Sequence, residues 1–534
     1  MQTDNSFSLI YPDLYQNRPD SPLPPAIDMF ALEELGMTDL IDLQSCDLSD
    51  FFTSDPGVIS YRLETFGDML DHPEIADTLG KLVPILGDIL ELRRLESDSG
   101  DTESYLSSLT EIELYISCID LLEKGFAPMR ETLKSRAFTA FADRIHELAA
   151  SDYYKELNKK LAELSARVRE IKSITIGVNL DNTLRPRDAG VLSINSESFR
   201  SGDVLEKILR LNFKNDQYTC IANLVPFNKK QSENQKTAMS LAFTSAINDV
   251  YKSSLRSWKK IIQEYVLDNT NFLLNLLGEF EFVVKATEAM RLLLDKGCEL
   301  CVPEIRPAEE RAFAATALYN PCVAIKIEDE IVTNDIVFDE SAMIYVLTGP
   351  NRGGKSVITC AVGIAQAMLQ LGMLIPAKAL TISPVDAIFT HFPTGADDTL
   401  DKGRLGEECA RLDEILGQIS AQSLVLLDES LSSTGSFEAS YIAAEVLAGL
   451  SVVGCRCLFS THLHELAAEI DNINAKTKTQ GGVSIDTLVA GIEEGKRSFR
   501  IVRAKPDGKS YARDIANKYG LSYESILKKI QHQN

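Results

Sequence analysis

The chain has 534 residues, too many for one ordinary hydrophobic core, so its length predicts several domains. Hydrophobic residues make up 45% and charged residues 25%, the composition of a folded soluble protein. The net charge of −24 argues against broad, nonspecific binding to nucleic acid, which depends on positive charge. No apolar run reaches the roughly 18 residues of a membrane-spanning helix, and no secretion signal is evident. These features predict a cytoplasmic protein with no membrane association.

The N-terminal half changes character twice. Residues 1–25 are rich in Pro, Asp and Ser and predict a loose segment, whereas residues 26–150 have a helical pattern. A basic helix is expected over residues 153–171, and strand-like pieces follow from 174 to about 224. Two groups of basic residues are candidates either for solvated helix faces or for phosphate contacts. They are Lys155, Lys159, Lys160, Arg167, Arg169 and Lys172, and then Lys252, Arg256, Lys259 and Lys260.

Two long helices are predicted next, over residues 239–265 and 272–293, because apolar residues recur there at spacings of three to five. Residues 267–270 are expected to form the turn between them, an arrangement that favours an arm or lever over a compact core. From about residue 312 the chain alternates strand-like and helical pieces, which predicts a parallel sheet flanked by helices.

A phosphate-binding loop is predicted at residues 349–356, which fit the pattern G-x-x-x-x-G-K-[ST] between an apolar strand and a helix over 357–371. Its glycines allow backbone N–H groups to converge on phosphates, and the helix N-terminus adds a favourable dipole. The alternative, a glycine-rich turn without a ligand, does not require that flanking order. The predicted cofactor-binding residues are Gly349, Pro350, Asn351, Arg352, Gly353, Gly354, Lys355 and Ser356. Lys355 is expected to meet the β- and γ-phosphates of ATP, and Ser356 to supply a hydroxyl to Mg²⁺.

A second apolar strand, residues 424–427, leads directly to two carboxylates. Asp428 is predicted to hold Mg²⁺ through water, and Glu429 to orient or deprotonate the attacking water. A third strand brings His462 to its end, where it suits a sensor of the γ-phosphate, although a lone histidine there is more often structural. Glu429 and His462 are the predicted catalytic residues, and Ser356 and Asp428 the predicted metal ligands.

These residues resemble the MutS mismatch-repair ATPase family. The loop is similar to that family's GPNxGGKS form, and residues 460–466 are similar to its THxxEL motif. The resemblance is specific from about residue 301 to 521 and general before that, where Phe51, Phe52, Tyr61 and Arg62 resemble the start of its helical core. Further similar segments are residues 302–305, 319–323, 375–377, 386–390, 395–398, 403–404, 506–511 and 519–521.

The resemblance implies a multidomain fold, with a helical core and long lever helices followed by an α/β P-loop ATPase domain of the ABC type. The implied domains are a helical core, lever and clamp region at 26–310, an ATPase domain at 311–505 and a helical dimerisation tail at 506–534. In this family two ATPase domains dimerise and share their sites, and levers connect them to a DNA clamp. A homodimer is therefore expected.

The chain departs from the family pattern in three places. A core-like pattern begins by about Phe51, which leaves no room before it for the family's mismatch-reading domain. Leu405, Gly406, Glu407 and Glu408 stand where the family's signature carries a Ser-Thr pair. The turn after the acidic strand, residues 430–434, lacks the family's glycines. ATP binding is expected to be intact, whereas catalysis across the subunits is expected to be slow or altered.

Two functions remain open. The first is an ATP-dependent clamp on duplex or branched DNA in repair or recombination, without mismatch specificity and with a possible repair-protein partner. The second is a nucleotide-gated scaffold that binds a protein or ribosomal partner instead of DNA, which the acidic charge favours. A transporter-type ATPase subunit fits poorly, because that class carries a serine-glycine-glycine signature and needs no levers.

Overall fold

The computed structural model of the chain describes residues 7–12, 27, 29–98, 105–169, 172–180, 182, 186–195, 197–198, 200–201, 219–220, 267–393, 404–493, 496–505, 522, 523 and 525. Contacts divide the chain into two compact units. Unit 1 comprises Met1–Asn5, Asp77–Leu133 and Thr139–Leu277, and unit 2 comprises Ser6–Ala76, Lys134–Phe138 and Gly278–Asn534.

The elements are numbered in chain order within the described residues. The helices are α1 (Met29–Leu35), α2 (Met37–Leu40), α3 (Pro56–Asp71), α4 (Pro73–Asp98), α5 (Tyr105–Phe126), α6 (Arg136–Ala150), α7 (Asp152–Arg169), α8 (Leu267–Asn275), α9 (Leu277–Asp295), α10 (Pro321–Lys326), α11 (Lys355–Leu371), α12 (Arg404–Gln418), α13 (Ser436–Val453) and α14 (His464–Lys478). The strands are β1 (Ser173–Leu180), β2 (Pro186–Asn195), β3 (Arg200–Ser201), β4 (Thr219–Cys220), β5 (Glu304–Ile305), β6 (Phe313–Leu318), β7 (Asn334–Phe338), β8 (Ile344–Thr348), β9 (Ala379–Ile382), β10 (Ile388–His391), β11 (Leu424–Asp428), β12 (Arg456–Ser460), β13 (Ile485–Glu493) and β14 (Lys496–Arg503).

Unit 1 is mainly helical and has an aromatic core. The ring of Phe141 on α6 meets Phe126 edge-on, with 5.4 Å between the ring centroids, and lies 6.4 Å from the ring of Phe272 on α8. The guanidinium of Arg144 stacks over Phe272, 3.7 Å from the ring centroid, where the ring face attracts a cation. The two longer strands of the unit, β1 and β2, pair as an antiparallel ribbon.

Unit 2 is built on a six-stranded sheet in the order β10-β11-β12-β8-β13-β14. The first five of these strands are parallel, and β14 runs antiparallel beside β13. Every residue of β8, β11 and β12 is buried, as expected for a parallel sheet that is covered on both faces. A smaller four-stranded sheet, β5-β9-β6-β7, belongs to the same unit.

Helices cover both faces of the six-stranded sheet. Side chains of α12, α13 and α14 form one core with alternate residues of the strands, such as Val425, Leu427 and Phe459. Leu426 faces the other way, toward Gly363 of α11. Among the described residues, α13 is the one helix that could cross a membrane by length and composition alone, and here it contributes five side chains to this core.

The helix α11 is enclosed along most of its length. From residue 358 to 371 every residue is buried apart from Cys360, which is half-buried. The helix ends at Gly372, whose φ of 75° is left-handed and whose Cβ, if present, would lie 2.3 Å from Cβ of Arg62. Only glycine fits both conditions. The last carbonyls of α11 are also bound, that of Gln370 by the backbone N–H of Thr53 at 3.0 Å.

The structure differs from the sequence prediction at residues 267–270, which are helical and are not a turn between helices. The break falls at Leu276 instead, between α8 and α9. The physical reason is that a short polar stretch such as Asp268 and Asn269 does not by itself end a helix, because these residues disfavour a helix less than Gly or Pro does.

The other predicted elements of the described region are present. The basic helix is α7, and the helix after the candidate loop, α11, begins two residues earlier than predicted. The helix predicted over 239–265, the basic residues at 252–260, most of the strand region beyond 195 and nearly all of the 506–534 tail lie outside the described residues. The domain limits therefore stay a prediction.

Candidate nucleotide site

The candidate site lies where three neighbouring strands of the large sheet end. Because β8, β11 and β12 are parallel, their carboxyl ends meet at one edge, with Asp428 in register with Ser460 and Ser460 with Leu347. Open parallel sheets bind their ligands at this edge. The loop that follows β8 is thereby brought beside Asp428 and Glu429, which the sequence separates from it by more than seventy residues.

The loop after β8 has a backbone that requires glycine. Gly349 has a φ of 143° and Gly354 a φ of 94°, and Arg352 also adopts a left-handed φ of 59°. A Cβ on Gly349 would lie 2.7 Å from Cβ of Ala490 on β13, which leaves no room for a side chain. Packing against β13 and a left-handed backbone therefore explain the glycines, in addition to any approach of a phosphate.

The predicted loop residues divide into exposed and buried groups. Asn351, Arg352 and Ser356 are exposed, Pro350 and Gly354 are half-buried, and Gly349 and Gly353 are buried. The amide of Gly353 donates to the carbonyl of Pro350 at 3.0 Å, which closes the turn. Ser356 lies in the first turn of α11, where the backbone N–H groups have no partner within the helix.

Lys355 is buried at the start of α11. Its ammonium donates to the carbonyls of Gly349 and Pro350, at 3.2 and 3.3 Å. Burial lowers the pKa of Lys355, and the carboxylates of Glu429 and Asp428 act in the opposite direction. The predicted cation and the two predicted carboxylates therefore lie within electrostatic reach of one another.

Three buried polar atoms at this edge have no hydrogen-bond partner. They are Thr348 Oγ1, Asp428 Oδ1 and Ser460 Oγ, each on the last residue of its strand. A buried polar atom without a partner is costly, so three together indicate a place that a ligand or ion completes. One free carboxylate oxygen beside serine and threonine hydroxyls is an oxygen-only donor set, which fits Mg²⁺. Within the described residues no cluster of three or more His, Cys, Asp or Glu could hold a metal by itself.

Glu429 and His462 lie just beyond the strand ends. Glu429 is half-buried, has a left-handed φ of 49° and donates its backbone N–H to the carbonyl of Ser460 at 2.8 Å. His462 is exposed, two residues beyond the end of β12. The structure brings Glu429 close to Lys355, and it gives no direct contact between His462 and the other predicted residues.

Two features of this edge are not evident from the sequence. Asn334 on β7 holds β14 over the loop, donating to the carbonyl of Phe499 at 3.2 Å and accepting from the amide of Ile501 at 2.7 Å. His391, at the end of β10, bonds to Ser430, the residue after Glu429. The only sequence signal for His391 is a polar residue at the end of an apolar strand. Of the altered signature, residues 405–408 lie in the first turns of α12, and residues 395–403 are outside the described region.

The loop after β8 and the buried Lys355 lie at the edge of a parallel sheet, and the next strand but one ends in Asp428, with Glu429 directly after it. The domain is of the α/β class, with a mainly parallel sheet between helices. Two family models match the chain: MutS domain V over residues 345–532, and the MutS2 N-terminal domain over residues 54–294. Over these two stretches the chain is similar to MutS-type proteins.

Curated relatives agree over a shorter region. DNA mismatch repair protein MutS of Chlorobium phaeobacteroides is 33% identical over 234 residues, 43% of this chain and 26% of that protein. The protein of the same name from Myxococcus xanthus is 35% identical over 212 residues, 37% of this chain and 23% of its own length. That of Synechococcus sp. strain CC9605 is 41% identical over 155 residues, 28% of this chain and 17% of its own. The chain spans about a quarter or less of the length of these relatives.

Proposed function

We propose that this chain binds ATP with Mg²⁺ at residues 349–356 and hydrolyses it to drive a change of conformation. The observation that carries this proposal is that Lys355 lies within electrostatic reach of Asp428 and Glu429 at a strand edge where Asp428 Oδ1 is buried and has no hydrogen-bond partner. A triphosphate with Mg²⁺ supplies the charges that this arrangement lacks, negative toward Lys355 and positive toward Asp428.

Each residue has a distinct part in the proposed reaction. Lys355 would exchange its two carbonyl partners for phosphate oxygens, and Ser356 and Asp428 would hold Mg²⁺, which would supply positive charge to the triphosphate. Glu429 orients water and accepts its proton as the water oxygen bonds to the γ-phosphorus and the bond to the β-phosphate oxygen breaks, giving ADP and phosphate. His462 is proposed to contact the γ-phosphate from the turn after β12.

The proposed ATP binding and hydrolysis are tested by titrating the full chain with ATP, with and without Mg²⁺, and then assaying phosphate release. We expect binding that strengthens with Mg²⁺, and turnover that falls in His462→Ala less than in Glu429→Ala. Absence of ATP binding in both conditions would end the nucleotide proposal. ATP binding without phosphate release would support the binding site and contradict the proposed hydrolysis.

We further propose a homodimer that ATP tightens. The support is the exposure of Asn351, Arg352 and Ser356, which leaves one side of the site open for a second subunit. The altered residues 405–408 would then make turnover slow. Sedimentation at micromolar concentration, with and without Mg²⁺ and ATP, distinguishes a dimer from a monomer, and a monomer under both conditions would contradict this proposal.

The proposed partner is duplex or branched DNA in repair or recombination, consistent with a cytoplasmic MutS-type protein that acts with a repair-protein partner. The relatives are named for DNA mismatch repair. Lys155 and Lys159 are exposed one turn apart on α7 and suit phosphate contacts, although the net charge of −24 predicts weak, salt-dependent binding. The same charge favours the second candidate, a nucleotide-gated scaffold for a protein or ribosomal partner.

A binding panel separates the two candidates. Matched, mismatched and branched duplexes are titrated at two salt concentrations, with and without ATP, and no preference for the mismatch is expected. Replacing Lys155 and Lys159 by Gln should weaken DNA binding and reduce the salt dependence by about two phosphate contacts. Lys378→Gln, which removes an exposed charge elsewhere, is the control. Failure to bind any DNA at low salt would favour the scaffold.

A further inference from the structure

We propose that His391, acting through Ser430, is a positioning residue that fixes the backbone carrying Glu429. This inference rests on the proposed ATPase function and deepens it, because it concerns what holds the carboxylate that orients water. The argument depends on one hydrogen-bonded pair between neighbouring strands and on the backbone around it.

The pair joins the end of β10 to the residue after Glu429. His391 Nδ1 lies 2.7 Å from Ser430 Oγ, and the same hydroxyl lies 3.1 Å from the carbonyl oxygen of His391. His391 is 4% exposed and Ser430 is 5% exposed, so water does not compete for these bonds. Because β10 and β11 are adjacent and parallel, the pair lies at the strand edge that forms the candidate site.

The backbone around Ser430 needs such support. Glu429 and Leu431 have left-handed φ values of 49° and 65°, which are unfavourable for residues other than glycine. On one side of the turn the amide of Glu429 is held by the carbonyl of Ser460 on β12. On the other side the hydroxyl of Ser430 is held by His391 on β10. Two flanking strands therefore hold the turn, and the second contact is made by His391 through its imidazole and its carbonyl oxygen.

The imidazole is suited to this role because it stays neutral. Burial, with a smaller contribution from the nearby Arg411, lowers the pKa of His391 to about 4, although a hydrogen bond with the backbone of Glu408 acts in the opposite direction. A neutral imidazole has one N–H and one acceptor nitrogen. Since a serine hydroxyl can donate or accept, the bond to Nδ1 forms with either tautomer. The hydroxyl has one proton, so it also donates to the carbonyl of His391 only when Nδ1 carries the N–H.

The same histidine also faces α12. Arg411 on that helix donates to the carbonyl of Thr390 at 2.9 Å, one residue before His391, and Glu408 is among the altered signature residues. Ser433 in the turn after Glu429 donates to the carboxylate of Glu408 at 3.1 Å. A displacement at the start of α12 would therefore be transmitted to the Glu429 turn through two contacts. One is the buried contact through His391, and the other is the bond between Glu408 and Ser433.

Four variants of the full chain test the proposal. Both Ser430→Ala and His391→Leu remove the bond between the imidazole and the hydroxyl, and Ser430→Ala also removes the bond to the carbonyl of His391. His391→Asn keeps a donor and an acceptor near the position of Nδ1. Ser423→Ala is the matched control, because Ser423 is buried at the opposite end of β11 and donates to Asp386 at 2.7 Å. Phosphate release at saturating ATP, ATP affinity, and amide hydrogen exchange of the peptide spanning residues 425–435 are measured for each.

We expect Ser430→Ala and His391→Leu to slow phosphate release about tenfold, the loss that one hydrogen bond corresponds to. ATP affinity should hold, His391→Asn should restore most of the rate, and exchange at residues 429–431 should quicken only in the first two variants. An unchanged rate in both would overturn the proposal while leaving the ATPase function intact. If the wild type itself releases no phosphate, the proposed hydrolysis fails, and exchange alone decides whether His391 holds the turn.

Discussion

Replacing Lys355 by Met separates the role of its charge from its role in the fold. In the ligand-free protein the ammonium has two bonds, at 3.2 and 3.3 Å, both to uncharged carbonyls and both at the long end of the usual range. Burial already disfavours its protonated form. An apolar side chain of similar length should therefore change the free energy of unfolding by no more than about 1 kcal/mol.

The effect on binding should be much larger. Two charge-assisted bonds to phosphate contribute about 1.5–3 kcal/mol each, and the carbonyl bonds that Lys355 gives up offset about 1 kcal/mol. A net loss of about 3 kcal/mol weakens ATP affinity roughly 100-fold. Calorimetric titration with Mg²⁺ and ATP measures this loss, with Lys378→Met as the control for removal of an exposed charge. Affinity of Lys355→Met within about threefold of the wild type, in a folded protein, would refute the assignment of the loop.

Three other perturbations address separate parts of the structure. Glu429→Gln should keep ATP affinity and slow phosphate release about 100-fold, because the variant loses only the proton acceptor. A rate of phosphate release equal to that of the wild type would show that Glu429 takes no part in the reaction. Gly372→Ala should lower the free energy of unfolding by about 2–4 kcal/mol in denaturant titration, because the new Cβ would clash with Arg62. The control is Gly297→Ala, where φ is a similar 78° and the space around the residue is open. That variant should lower the free energy of unfolding by about 1 kcal/mol. The pKa of His391 is 6.5 in the unfolded chain and about 4 in the folded protein. The free energy of unfolding should therefore fall by about 3 kcal/mol as the pH drops from 6.5 to 4, because the unfolded chain takes up the proton first. In His391→Asn the free energy of unfolding should decline less over the same interval.

The strands of the candidate site could be predicted because their patterns are local. An apolar run followed by a glycine-rich loop, and another followed by two acids, specify β8 and β11 without reference to the rest of the chain. The breaks between elements are less specific. Residues 267–270 have the polar composition of a turn and are nevertheless helical, because such residues are tolerated within a helix.

Contacts between distant segments could not be predicted. His391 and Ser430 are 39 residues apart and meet because β10 and β11 are adjacent, a fact of sheet order that no local pattern contains. The same holds for Gly349, whose lack of a side chain is required by Ala490 on β13, 141 residues further along the chain. Such long-range contacts determine how the residues of the site are arranged in space. Local patterns in the sequence indicate only which residues belong to the site.

The enclosure of α11 bears on the calorimetry of ligand binding. The helix that would carry the phosphates is packed along its length before any ligand is present, and its far end is closed by Gly372 and Arg62. Binding at its N-terminus therefore covers little new apolar surface, and apolar burial is what makes the heat capacity of a complex fall. Within one subunit the heat-capacity change on ATP binding should be small. A large negative heat-capacity change would instead indicate that apolar surface is buried between two subunits. The heat-capacity change therefore measures how far a second subunit closes over the nucleotide.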